Sequence, residues 1–198
     1  MSKKDDILGA AMALFNQYGY HAVGVDLIRD VAGVSKMTLY KYFPTKEVLI
    51  EEVLKHRHEL FKLSLKASVE KFSDPGDRFC EVLNWHIRWF TSRLFYGCMF
   101  IKATGEFHET PEYLAVSRRH KQWVYEYVCT ILEEMSVDRP DEKASYIQIV
   151  LDGMIVNASI FQSLSHIDTA WNSICRDLGI INRPLQKPDR SSVVDNVF

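Results

Sequence analysis

The chain has 198 residues, a formal net charge of -2, 47% hydrophobic residues and 12% aromatic residues. This apolar content is enough for a sizeable core, so the composition excludes a disordered chain, and the length allows one large domain or a small domain followed by a medium one. The net charge neither favours nor excludes a nucleic-acid partner, because only the contacting face of a DNA-binding protein has to be positive.

Cysteine spacing and apolar segments indicate the compartment. The four cysteines lie far apart and form neither a CxxC pair nor a metal-ligand spacing, so we expect reduced, buried thiols and no metal or cofactor. The apolar run Ile7–Phe15 follows two lysines as in a signal peptide, but no small-residue cleavage site follows it. The most apolar stretch, Tyr146–Leu164, is interrupted by polar residues. These features predict a soluble, cytoplasmic protein without a membrane span.

Apolar residues recur at helical spacing through nearly the whole sequence, and no segment shows the alternation of a strand. Gly19 is placed to stop the first helix, and the turn residues Ser73–Gly76 break a long one. The predicted helices span about residues 7–18, 25–32, 36–43, 46–72, 77–93, 98–104, 111–135, 140–165 and 168–178. The sequence therefore predicts an all-α fold that ends in a loose tail over residues 182–198.

The segment Val25–Leu49 predicts a helix-turn-helix unit. Gly33 has the backbone freedom that a tight turn requires, and Ser35 is placed to cap the second helix. Leu39 and Phe43 are four residues apart, so they share one helix face and are expected to pack that helix against the first.

This unit is expected to carry a local positive charge, because no acidic residue occurs from position 31 through position 45. A helix-turn-helix inserts the N-terminal part of its second helix into the major groove, where Lys36, Met37 and Thr38 would meet base edges. The predicted DNA-contacting residues are Gly24, Val25, Ser35, Lys36, Met37, Thr38, Tyr40, Lys41, Tyr42 and Lys46. An ordinary pair of helices with a solvated lysine face is the alternative that the pattern leaves open.

The run AGVSKMTLYKYFPTKEVLI, together with the preceding ILGAAMALFNQYGY, closely resembles the DNA-binding signature of the TetR family over about residues 5–54. The resemblance implies a recognition helix over Lys36–Phe43, with Tyr42 and Lys46 as phosphate contacts. This chain has Val23 and Gly24 where the family often has Thr or Ser, which removes a hydroxyl cap. The expected domains are a helix-turn-helix domain over residues 1–46, a helical-bundle ligand-binding and dimerisation domain over residues 47–181, and the tail.

The resemblance also implies a homodimer joined through the last two long helices. In the helix predicted within Tyr146–Leu164, apolar residues cover more of the helix surface than a single packing contact would bury. One face would therefore pack inside the protomer and the other against the second copy of the chain. The broad face holds Ile147, Val150, Leu151, Met154, Ile155, Ala158 and Phe161, and the second face holds Ile149, Val156 and Ile160. A helix buried within a monomer is the alternative.

Aromatic residues in the second half suggest a pocket for a hydrophobic or aromatic ligand, because large flat rings with few polar groups suit such a molecule. The alternative for each ring is an ordinary place in the core. The predicted ligand-binding residues are Trp85, His86, Trp89, Phe90, Phe100, Trp123, Tyr127 and Phe161.

Together these features predict a sequence-specific regulator of transcription that binds double-stranded, near-palindromic DNA as a homodimer. We expect a repressor that a small-molecule effector releases from its operator, with a ligand-responsive activator or a helical scaffold protein as alternatives. No phosphate loop, GxSxG or HExxH motif occurs, so we expect no enzyme. Glu106, His108 and Glu109 lack the spacing of a metal site and are expected to form a solvated helix end.

Overall fold

The computed structural model of the protein describes residues 2–180. Within them the chain forms nine α-helices and no strand, which confirms the predicted all-α fold. The helices are α1 (Lys3–Tyr18), α2 (Val25–Ala32), α3 (Lys36–Tyr42), α4 (Lys46–Val69), α5 (Pro75–Phe90), α6 (Met99–Glu106), α7 (Pro111–Glu134), α8 (Pro140–Phe161) and α9 (Ser165–Asp177). The predicted tail over residues 182–198 lies outside the described residues.

Several helix ends differ from the prediction by two to four residues; for example, α4 ends at Val69 rather than at residue 72, and α5 ends at Phe90 rather than at residue 93. α6 continues through Gly105, which keeps a helical backbone, and it ends at Glu106 rather than at residue 104. α8 ends at Phe161 rather than at Ser165, because Gln162 adopts a left-handed backbone with φ 48°. Such a backbone terminates an α-helix, and Ser165 already belongs to α9.

The chain divides into two compact units. Unit 1 comprises the residues up to Leu60 together with Cys98–His120, and unit 2 comprises Phe61–Gly97 together with the residues from Lys121 onward. α4 and α7 each contribute residues to both units. The domain boundary predicted after residue 46 stays a prediction.

Unit 1 contains the three short N-terminal helices packed around a common core. Ile7, Phe15, Ile28 and Leu39 have at most 1% of their surface exposed, so α1, α2 and α3 each contribute to it. Tyr20, in the turn between α1 and α2, is fully buried, and its hydroxyl donates a hydrogen bond to the carbonyl oxygen of Met99 at 2.9 Å.

Unit 2 is built around α5, most of whose residues are buried, as its nearly continuous apolar sequence predicts. α8 has one buried face and one exposed face: Ile149 and Ile160 have 71% and 67% of their surface exposed. Phe161, which the helical spacing places on the buried face, is largely exposed because α8 ends at this residue.

By length and composition α8 is apolar enough to cross a membrane, with 33% of the relevant stretch buried. Core helices of soluble proteins have the same properties. A single helix of this kind is therefore weak support for a membrane span.

Candidate DNA-binding surface and ligand-binding cluster

The recognition helix predicted from the sequence is α3, and it presents a polar face to the outside. Leu39 and the following cap residue Phe43 are 1% exposed and fix the helix to the core of unit 1. Met37 on the other face is 82% exposed, although it is a large apolar side chain. Lys36 and Lys41 on this surface are exposed as well. The helix thus offers a thioether and two ammonium groups for contact with another molecule.

The turn before α3 has the predicted geometry. Gly33 has φ 62° and ψ 37°, the left-handed conformation that glycine adopts at little cost. The Ser35 hydroxyl accepts a hydrogen bond from the backbone N–H of Thr38 at 3.1 Å and so caps the helix. A second hydrogen bond joins the hydroxyl oxygens of Ser35 and Thr38 at 2.9 Å. The Thr38 side chain is therefore held in place by Ser35, the residue that caps α3.

Acidic residues of α2 lie beside this surface. The Lys36 ammonium nitrogen is 3.7 Å from a carboxylate oxygen of Asp26, and both side chains are mostly exposed. Arg29 forms ion pairs with Asp26 at 3.1 Å and with Asp30 at 2.6 Å. Lys46, at the start of α4, is half-buried, and burial lowers the pKa of its ammonium group even though Glu47 and Glu106 oppose that shift.

Glu106 joins α6 to the turn between α1 and α2. Its carboxylate accepts hydrogen bonds from the backbone N–H of Tyr20 at 3.1 Å and from that of His21 at 2.8 Å. It also lies 2.8 Å from the ring nitrogen Nδ1 of His21. Burial raises the pKa of Glu106, but the hydrogen bonds from Tyr20 and His21 outweigh it, and the net shift is downward. The predicted solvated helix end is therefore wrong for Glu106, whose partners are 85 and 86 positions away.

Unit 2 holds an aromatic cluster on α5 that includes several of the predicted ligand-binding residues. Trp85, His86, Trp89 and Phe90 are all at least nine-tenths buried. Phe61 packs edge-on against Trp85, with ring centroids 4.8 Å apart, and sequence reasoning did not select it. The cluster is thus formed by consecutive turns of α5 and by one ring from α4.

His86 is the polar member of the aromatic cluster. Its Nδ1 lies 2.7 Å from the carbonyl oxygen of Val82 and must donate, because a carbonyl can only accept. Burial lowers the pKa of His86 to about 4, so the ring is neutral at pH 7 and its Nε2 carries a lone pair. The indole N–H of Trp85 donates to the Ser64 hydroxyl at 3.0 Å.

Comparison with known proteins identifies the N-terminal region. The family model for bacterial regulatory proteins of the tetR family matches residues 7–53, the region from α1 to the start of α4. This region is therefore a domain of the tetR type.

Curated TetR-type relatives align with the N-terminal part of the chain. The HTH-type transcriptional regulator RutR of Escherichia coli is 42% identical over 72 residues, which are 36% of this chain and 34% of RutR. The HTH-type transcriptional activator FasR of Mycolicibacterium smegmatis is 46% identical over 76 residues, which are 38% of this chain and 35% of FasR. The alignments span about a third of the length of these relatives.

Solved TetR-family structures share the fold of most of the chain. SCO4454, a TetR-family transcriptional regulator from Streptomyces coelicolor, has a TM-score of 0.82 at 23% identity and covers 89% of this chain and 95% of its own. The reduced form of E. coli NemR has a TM-score of 0.80 at 18% identity and covers 89% of this chain and 97% of its own. At these identities the likeness shows the fold alone.

The segment that matches the tetR-family model contains all the predicted DNA-contacting residues in one stretch of unit 1. Gly24 is the N-cap of α2 and provides no side-chain cap. Val25, Thr38 and Lys46 are half-buried, whereas the others are exposed. These exposed residues are Gly24, Ser35, Lys36, Met37, Tyr40, Lys41 and Tyr42.

The predicted ligand-binding residues are less closely grouped. Trp123 and Tyr127 stack on each other at 5.1 Å, and Phe61 reaches Trp123 at 6.3 Å. Phe161 contacts His166 near the end of α8. Phe100 belongs to unit 1, where its ring stacks on His120 at 3.8 Å.

Two cavities of about 450 Å³ are formed by residues other than the predicted ligand-binding set. The first lies in unit 1, and its walls include His21, Lys46 and Tyr113. The second lies in unit 2, between the start of α5 and the ends of α7 and α9.

Proposed function

We propose that this protein is a sequence-specific regulator of transcription that binds double-stranded DNA through α3. The observation that carries the proposal is the outward face of α3, where Met37 is 82% exposed beside two exposed lysines while Leu39 anchors the opposite face. A thymine methyl group in the major groove is a fitting partner for the exposed Met37 side chain.

The residues of this surface divide into two roles. Lys36, Met37 and Thr38 lie in the first turn of α3, the part of a recognition helix that meets base edges. Tyr42 and Lys46 follow at the end of α3 and the start of α4, where they suit phosphate contacts. The remaining proposed contacts are Gly24, Val25, Ser35, Tyr40 and Lys41.

We propose that the working molecule is a homodimer formed through the last two long helices, α7 and α8. Ile149 and Ile160 leave an apolar strip of α8 exposed, and a two-fold contact with a second copy would bury it. A dimer would present two α3 helices to one near-palindromic site, with half-site centres about 34–36 Å apart or a related multiple.

The proposed effector is a small hydrophobic or aromatic molecule bound at the aromatic cluster of unit 2. The buried rings and the lone pair of His86 support this class of ligand, since one hydrogen-bond acceptor among apolar rings would orient such a molecule. α4 contributes residues to both units, so a ligand-induced tilt of α4 would alter the separation of the two recognition helices. A coupling of about 1–3 kcal/mol would change DNA affinity about 5- to 150-fold.

The direction of regulation follows from which state the effector favours. We propose a cytoplasmic repressor that the effector releases from its operator. A ligand-responsive activator is the second candidate, because FasR, which shares the N-terminal region, is named an activator. Ligand titration of operator-bound protein separates the two directions, since only a repressor of this kind loses DNA affinity on saturation.

Selection of bound sites from a random DNA pool tests the proposal, and two variants then test the contacts. Lys46→Ala should weaken binding to all sequences alike and lower the slope of log affinity against log salt by about one. Lys36→Ala should instead relax the preference at one base and cost about 1–3 kcal/mol on the selected site. A pool from which no sequence is enriched would refute sequence-specific binding and favour a scaffold role.

A further inference from the structure

The end of α1 and the turn that follows it are held by α6 at three places, all within unit 1. The Tyr20 hydroxyl donates to the carbonyl oxygen of Met99 at 2.9 Å, and the Lys102 ammonium donates to the carbonyl oxygen of Asn16 at 2.8 Å. The Glu106 carboxylate accepts from the backbone N–H groups of Tyr20 and His21. Thus residues near the start, middle and end of α6 all bind the same short stretch of chain.

Glu106 makes the most connections of these three residues. Its side chain is 27% exposed, whereas Tyr20, one of its two backbone donors, is fully buried, so the carboxylate satisfies an N–H group that needs a partner. A carboxylate brought from 85 positions away also fixes where the turn lies. Charge-assisted hydrogen bonds of this kind are short and directional.

The position of Glu106 also opposes the charge that DNA binding needs. Its carboxylate acts electrostatically on Lys46, the proposed phosphate contact, and lowers the positive potential there. An acidic side chain at this place therefore weakens DNA binding unless its contacts provide an advantage. The advantage that the geometry offers is control of the segment leading into α2.

We propose that Glu106 is a positioning residue for DNA binding, which sets the entry of α2 and hence the orientation of α3 by holding the backbone of Tyr20 and His21. The proposal rests on the proposed function, since it concerns how well α3 meets an operator. His21 is three residues before Gly24, the N-cap of α2, so movement of the turn displaces a proposed backbone contact with DNA as well as the helix axis. Glu106 itself touches no DNA.

The test compares Glu106→Ala with Glu109→Ala in the full chain on a selected operator. Glu109 is the matched control because its side chain is 90% exposed and its recorded ion pair is with His108 at 3.8 Å. Both substitutions remove one negative charge from unit 1. We expect Glu106→Ala to raise the operator Kd about tenfold, within the usual range of coupling effects, and Glu109→Ala to leave it unchanged or lower it slightly.

Two further readouts separate positioning from fold stability and from direct contact. A variant that is only less folded would show fewer active molecules in the titration, with the Kd of the folded fraction unchanged. A lost phosphate contact would reduce the salt slope by about one, whereas a lost positioning contact leaves the slope as it is. Amide hydrogen exchange at Tyr20 and His21 should accelerate in Glu106→Ala and stay slow in Glu109→Ala.

Glu106→Gln serves where the alanine variant does not fold, since it retains one acceptor oxygen and should give an intermediate Kd. Equal operator Kd values for Glu106→Ala and Glu109→Ala, or for Glu106→Gln and the wild type, would overturn the inference and leave the proposed function intact. A wild-type chain that enriches no DNA sequence would overturn the proposed function and this inference with it.

Discussion

The surface of α3 and the aromatic cluster of α5 differ in whether the side chains proposed to act point toward solvent or into the core. On α3 the side chains proposed to act point outward, and Met37 is 82% exposed. On α5 the corresponding side chains point inward, and Trp85 is 2% exposed. A DNA-reading surface has to stay accessible, so it departs visibly from ordinary packing. A ligand site among buried rings shares its composition with a hydrophobic core, and burial alone does not distinguish the two.

The largest effect expected is on stability, at the buried side of α3, and it would sharpen this comparison. Phe43→Ala removes a ring that is 1% exposed and should lower the free energy of unfolding by about 3–5 kcal/mol. The matched control is Tyr42→Ala. The Tyr42 side chain, next to Phe43 in the sequence, is 39% exposed, and its loss should change stability by about 0.5 kcal/mol or less. Urea unfolding of both variants measures the difference. Similar losses in the two variants would mean that α3 is not anchored by Phe43.

A pH experiment tests whether the α5 cluster is dry. Burial lowers the pKa of His86 to about 4, while the unfolded chain binds this proton near pH 6.5, so stability falls as pH drops through that interval. Between pH 7 and pH 5 the wild type should lose about 2 kcal/mol more than His86→Leu, as follows from a depressed histidine pKa. His108→Leu, at an exposed site, should behave as the wild type does. Equal losses in all three would show that His86 is hydrated.

The smallest of the three effects concerns Gly19, which lies close to a residue far away in the sequence. Gly19 has φ 83°, and a Cβ built on it lies 2.9 Å from a carboxylate oxygen of Glu106. Gly19→Ala should therefore destabilise the protein by on the order of 1 kcal/mol through backbone strain and should displace Glu106. Gly9→Ala is the control, because a Cβ there meets nothing within 4 Å and alanine favours the interior of α1. Thermal unfolding should show opposite signs for the two variants.

Most of the fold could be predicted because the helix ends are marked by local chemistry. Gly33 requires only its own backbone freedom, and Ser35 caps α3 through a residue three positions away. The interior of α6 gave no such mark, since Gly105 can stop a helix or continue it. Only the neighbouring structure decides, and there the helix continues to Glu106.

The candidate sites were predictable to different extents for the same reason. The proposed DNA-contacting stretch lies in one continuous segment, so the spacing of Leu39 and Phe43 was enough to orient it. The cluster on α5 was visible as neighbouring aromatic residues, but its partner Phe61 is more than twenty positions away, and local spacing does not reveal it. Glu106 was invisible in this way too, because its hydrogen bonds exist only after the chain has folded.

The hydrogen bond between the hydroxyl groups of Ser35 and Thr38 has a consequence for the chemistry of the operator. That bond takes up one of the hydrogen-bonding positions of the Thr38 hydroxyl, so the hydroxyl and the γ-methyl group are both left to meet a base. A methyl group discriminates bases by contact with another methyl group, which thymine carries in the major groove. Cytosine methylated at carbon 5 carries a methyl group at the same place. Where the γ-methyl group of Thr38 contacts a thymine, a cytosine modified in this way should substitute for it, and an unmodified cytosine should not.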